Sequence, residues 1–151
     1  MRIEKVSEFL YNFFINSGYS FYIDYDDQDD LINLVKRIVL KYKKRLGLKG
    51  FYKVNVYPVE KVGIFIDLIN MDMIEVSNNI DLRVVVHRNK NVYFETDDYF
   101  IIDKYKDIMY YNKLFYLNIL NIEDINKVVD FGRFVLEDDI DLSKGITIGG
   151  L

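Results

Sequence analysis

A chain of 151 residues can bury about two thirds of its unfolded surface in one ordinary core, and without any cysteine it forms no disulfide, thiolate metal site or cysteine nucleophile. Its 20 Lys and Arg stand against 24 Asp and Glu, a net charge of −4, which argues against tight unspecific attachment to nucleic acid. Ile, Asn, Lys, Tyr, Phe and Met make up about half of the residues and alanine is absent; this is the usage of AT-rich codons, so position carries more information than abundance.

The opening segment "MRIEKVSEFLYNFFINSGY" places Ile3, Val6, Leu10, Phe13 and Phe14 at helical spacing before Gly18. It predicts a helix over roughly residues 2–17. Glu4, Lys5 and Glu8 interrupt its apolar residues, so it does not read as a signal peptide, and no apolar run reaches membrane-spanning length. A cytoplasmic protein that makes no membrane contact is expected. A short strand is expected in "YSFYIDY".

A second helix follows over residues 31–46. Asp27, Asp29 and Asp30 stand where it begins, Lys43, Lys44 and Arg45 where it ends, and Gly47 is placed to cap it; both ends complement the helix dipole. At 100° per residue, Leu31, Ile32, Leu34, Val35, Ile38, Val39, Tyr42 and Leu46 fill one arc, while Lys36, Arg37, Lys41 and Lys44 fall on the opposite one. Residues 31–59 hold eight positive charges and no acid. The dipole accounts for the last turn, but Lys36, Arg37 and Lys41 lie too early for it.

"FYKVNVY" and "GIFIDLI" read as strands on either side of "PVEKV", the second apolar on both faces and therefore central. "IDLRVVVH" and "NVYFE" around "RNKN", and "DIMYY" and "LFYLNI" around "NK", read as two hairpins. Asn121 and Asp124 have the spacing of a helix start before "IEDINKVVDFGRFVLEDD", whose apolar stripe is Ile122, Ile125, Val128, Val129 and Val135. Gly132 either weakens that helix or marks a close contact. "GITIGGL" is expected to close as a short edge strand. The whole predicts a single α+β domain over residues 1–151, with three main helices packed on a largely antiparallel sheet.

No catalytic constellation emerges. His87 is the only histidine and shares a strand face with Arg83 and Val85, which favours a partly exposed structural role. Ser7, Ser17, Ser20, Ser77 and Ser143 lack the context of a nucleophile elbow. "DYDDQDD" starts like a calcium loop at Asp24, but position six is Asp29 in place of glycine and position twelve is Val35 in place of glutamate. Glu95, Asp97 and Asp98 in "ETDD" are carboxylates beside a turn, more often solvated than metal-bound. Gly47, Gly50 and Gly63 match no phosphate-binding loop. No cofactor, no metal and no enzymatic activity are expected.

Surface remains. The basic residues Lys36, Arg37, Lys41 and Lys44, extended by Lys49 and Lys53, suit an acidic partner, and alternation in the second hairpin turns Tyr110 and Tyr116 outward, as at protein interfaces. Phe51 and Tyr52 stand between Lys49 and Lys53 as candidate base-stacking groups. The segment "LKGFYKVNVYPVEKVGIFIDL", residues 48–68, resembles small poorly characterised proteins of low-GC Gram-positive bacteria, some of which travel with phages and integrated elements; the resemblance implies an accessory protein of a mobile element. The leading expectation is a non-enzymatic regulatory or adaptor protein that contacts another protein or a nucleoprotein complex of recombination or replication. Direct nucleic-acid binding through helix 31–46 and the following strand is the alternative, and a carboxylate-dependent enzyme the third.

Overall fold

The computed structural model describes residues 1–16, 24–71, 79–140 and 145–148. Two compact units follow one another along the chain, Met1–Asn89 and Lys90–Leu151. Each has its own five-stranded sheet.

The first unit opens on a hairpin, β1 (Arg2–Ser7) and β2 (Leu10–Asn16), in place of the expected helix. Phe13, Phe14 and Ile15 are consecutive and all buried. A strand buries such a run on both of its faces, and aromatic and β-branched residues pack well there; helical spacing among Ile3, Val6, Leu10 and Phe13 was coincidental. The Ser7 hydroxyl accepts from the Phe9 amide at 3.2 Å and fixes the turn.

Helix α1 (Gln28–Lys41) starts as the aspartates predict: Asp27 is its N-cap, and its carboxylate accepts from the Asp30 amide at 3.1 Å. The helix breaks at Tyr42, and one further turn, α2 (Lys43–Leu46), ends at Gly47 in the left-handed conformation, φ 65°. Leu31, Val35, Ile38 and Val39 bury the inner stripe of α1. They pack on Phe13 and Ile15 of β2, Tyr52, Val54 and Val56 of β3 (Gly50–Val59), and Ile64, Ile66 and Leu68 of β4 (Gly63–Asn70).

The order of the first sheet is β1-β2-β4-β3-β5, with β5 spanning Ile80–Val86. The central position of β4 is as its two apolar faces predict. All pairs are antiparallel except β3 with β5, which run parallel. Gly63, at φ 150°, sits where an added Cβ would collide with the carbonyl oxygen of Ile15; only glycine lets β2 and β4 approach so closely.

The second unit carries the order β10-β7-β8-β6-β9, antiparallel throughout. Its strands are β6 (Val92–Thr96), β7 (Ile108–Tyr111), β8 (Leu114–Asn118), β9 (Arg133–Leu136) and β10 (Ile146–Ile148). The hairpin β7–β8 turns on Asn112 and Lys113, both at positive φ, the conformation that matches the twist of a tight hairpin. β10 is the expected edge strand. The hairpin expected around "RNKN" does not form: β5 pairs with β3, β6 pairs with β8 and β9, and this turn is the boundary between the units.

The third main helix is also replaced. Residues 119–121, 125–127 and 129–131 form three short 3-10 turns, and Val135 lies in β9 opposite Tyr93. Its β-branched stripe has modest helix propensity, and Asn118 and Asp124 draw the chain into local turns by accepting from the amides of Leu120 at 3.0 Å and Asn126 at 3.2 Å. Gly132 is the close contact that the sequence allowed, since a Cβ there would meet the Glu95 carbonyl oxygen and the Phe94 ring. A one-turn helix α3 (Tyr99–Ile102) is capped by Asp98, and Ile102, Ile108 and Leu117 form a core cluster. The architecture is thus α+β, with α1 the one helix longer than a single turn among the described residues. The strand expected in "YSFYIDY" lies mostly outside those residues, within which no helix is long and apolar enough to cross a membrane.

Candidate partner-docking surface

The inner stripe of α1 is fixed against the sheet, so the outer face is fixed too. Lys36, Arg37 and Lys41 are exposed on it, and Lys44 is exposed in α2. None of these four forms an ion pair with a described residue, whereas Arg2 pairs with Glu4, Lys90 with Asp138 and Arg133 with Glu95. The acid-free stretch from residue 31 to residue 59 supplies no neighbouring carboxylate along the chain. Tyr42 anchors the end of the face. Its ring meets Phe13 edge-on at 6.2 Å, and Lys41 Nζ and the Arg45 guanidinium each lie 5.8 Å from its centre, where cations are attracted by the π-face.

The other expected site residues divide. Lys49 is exposed next to α2, and its backbone amide donates to the Tyr52 hydroxyl at 3.3 Å. Tyr52 itself is 4% exposed and belongs to the core beneath α1, so it presents no face to a base. Lys53 is exposed and Phe51 half-buried, but both point away from that core, because alternate residues of a strand face opposite sides. The structure therefore brings Lys36, Arg37 and Lys41 together on one helix and leaves Lys53 on the far side of the sheet.

In the second unit Tyr110 lies at the surface, whereas Tyr116 is 3% exposed. The outward orientation expected for Tyr116 is corrected. It shares a face with Glu95, its cross-strand partner, and donates to Glu95 Oε2 at 2.8 Å, while Arg133 Nε donates to Glu95 Oε1 at 2.6 Å. Burial first, then the hydrogen bond to Glu95, pushes the Tyr116 hydroxyl up to about 12. Both oxygens of Glu95 are thus engaged, and Asp98 caps α3 by accepting from Phe100 at 3.0 Å, so "ETDD" is structural at these two residues. Tyr99, Phe115 and Tyr110 form a chain of ring contacts at 6.1 and 5.0 Å, with Phe100, 88% exposed, at its outer end. Nothing in the sequence around Tyr99 and Phe100 marks them as surface aromatics.

A second feature was missed as well. On the face of the first sheet opposite α1, Asn12, Asp67 and Asn55 are direct cross-strand neighbours. A His87 ring nitrogen donates to Asn55 Oδ1 at 2.9 Å, and the ring stacks on Tyr57 at 5.0 Å. Asn12 Oδ1 is buried without a hydrogen-bond partner. The signal was present: "LYNFFIN", "GIFIDLI" and "FYKVNVY" each carry one polar residue deep in an apolar run. His87 is half-buried on the face expected for it.

Asp24, Asp27 and Asp30 bring carboxylate oxygens within 4.8 Å of one another. Asp27 serves as helix cap, Asp24 accepts from the Asp26 amide at 3.1 Å, and Val35, the position a calcium loop would fill with glutamate, is buried in the core. No family model, no curated protein and no solved structure matches the chain.

Proposed function

We propose that the chain is a non-enzymatic regulatory or adaptor protein that docks an acidic partner protein on the outer face of α1. The observation that carries this reading is the set of four exposed cations, Lys36, Arg37, Lys41 and Lys44, none of them neutralised by a described carboxylate. Two of them, Lys36 and Arg37, lie before the last turn of α1, so helix capping does not explain them. Rim charges of this kind steer encounter and set partner choice. The resemblance of residues 48–68 to proteins that travel with mobile elements suggests a recombination or replication complex as the setting.

Direct nucleic-acid binding is the weaker reading. It needs Tyr52 as a stacking platform and Lys53 on the same surface, and Tyr52 is buried while Lys53 faces away. An enzyme working through Glu95 would have to release that carboxylate from both Arg133 and Tyr116.

The test replaces Lys36, Arg37, Lys41 and Lys44 together by Gln. The immobilised wild-type protein is expected to retain an acidic protein at low salt and to lose it as salt rises, and the quadruple variant to retain at least tenfold less while melting normally. An identified partner bound with the same affinity and salt dependence by both proteins would show that the face only solvates the helix.

A further inference from the structure

Leu40 is 47% exposed. A single exposed leucine is ordinary, but its position is not. On α1, Lys36 lies one turn before it and Arg37 three residues before it, both its neighbours on the helix surface, while Lys41 lies about 100° further round, so the side chain emerges within the arc of exposed cations. Lys44 follows one turn later, in α2. Leucine is a good helix former on any face, but at this position it also supplies an apolar centre inside a charged rim, which is the anatomy of an interface.

Resting on the docking reading above, we infer that the partner presents an acidic amphipathic helix, one apolar side chain of which seats on Leu40 while flanking carboxylates meet Lys36, Arg37 and Lys41. Charge complementarity selects the sign of the partner, and Leu40 selects its class: phosphates present no apolar group to a leucine, whereas an amphipathic helix presents one every three or four residues. Arg37 and Lys41 are one turn apart on the same face, about 6 Å along the axis at 1.5 Å per residue, so carboxylates one turn apart on the partner helix match them.

The probes are two labelled synthetic peptides of identical Glu, Ala and Leu composition, one with its leucines in a single helical stripe and one with the stripe permuted, and a single-stranded oligonucleotide of equal charge. Fluorescence anisotropy at low salt is read for wild type, Leu40→Gln, the quadruple Gln variant and, as a control for general stickiness, Leu120→Gln, which removes a 64% exposed leucine of the second unit. Wild type and Leu120→Gln should bind the striped peptide about fivefold more tightly than the permuted one, the return expected for covering half a leucine. Leu40→Gln should bind both alike with its salt dependence intact, and the quadruple variant neither. Equal affinity of wild type for the two peptides, abolished by the quadruple change, would overturn the Leu40 inference and leave basic docking standing. Tighter binding of the oligonucleotide, unaffected by Leu40→Gln, would overturn it in favour of nucleic acid. Weak binding of all probes, unchanged in the quadruple variant, would remove both the inference and the reading beneath it.

Discussion

Glu95 shows how far a residue's role can lie from its sequence neighbourhood. In "ETDD" it looks like one of three solvated carboxylates, yet it is buried, bonded to Tyr116 on one oxygen and Arg133 on the other. Nothing local announces this, because Tyr116 is 21 and Arg133 38 residues away. Replacing Tyr116 by Phe leaves a buried carboxylate with one fewer donor and should cost about 1–3 kcal/mol in urea unfolding. The same pair makes stability pH-dependent at the alkaline end. Folding pushes the Tyr116 hydroxyl up to about 12 from its ordinary value of 10.0, so the unfolded chain loses its proton first. The stabilisation is complete below pH 10 and is lost as pH rises toward 12, with a slope of at most about 1.4 kcal/mol per pH unit. Unfolding free energies measured from pH 9 to 12 should fall less steeply in Tyr116→Phe than in wild type; parallel curves would contradict the assignment. Gly63→Ala should be worse than either, destabilising by about 3 kcal/mol or more, since its φ of 150° and the Ile15 carbonyl both exclude a Cβ. A urea midpoint close to that of wild type would refute the close approach.

At the scale of elements, legibility followed the locality of the signal. Helix α1 was readable because its N-cap and its apolar arc lie within one stretch, as was the glycine that ends α2 after it, and the hairpin β7–β8 because its turn is two residues long. The break at Tyr42 was not, since the wheel continues smoothly through it. The opening hairpin was missed because spacing alone does not separate a helix from a strand buried on both sides, and the closing helix because short polar side chains at Asn118 and Asp124 compete with helical hydrogen bonds. Of the site, the cations of α1 were legible as a wheel arc, whereas the loss of Tyr52 and Lys53 to other surfaces depends on the strand's register. Two predictions belong here. Asp27→Ala removes the N-cap bond to Asp30 and should lower stability by about 1 kcal/mol with reduced helical ellipticity. The quadruple Gln variant of the basic face should unfold within about 2 kcal/mol of wild type, because each exposed substitution rarely costs more than about 0.5 kcal/mol; a larger loss would mean that these side chains support the fold.

For the whole molecule, the net charge of −4 conceals a segregation: residues 31–59 carry eight positive charges and no negative one. Lys36, Arg37 and Lys41 sit on a helix whose other face is locked into a core, so these three charges have a fixed direction, and that fixity turns a compositional bias into a surface. The sequence anticipated the mixture of helix and antiparallel sheet, but not its division into two sheets, because each local segment is equally compatible with one large sheet and strand partnership is a long-range property. In the function proposed, the exposed face of α1 meets an acidic protein. The most direct measurement is photo-crosslinking in the source cell from position 33, where Asn33 is exposed on the same helix, with the exposed position 89 as control. A discrete adduct with an acidic protein should form from position 33, be missing from position 89, and disappear when Lys36, Arg37, Lys41 and Lys44 are changed to Gln. An adduct that persists unchanged in that variant, or none from position 33 at all, would contradict the claim.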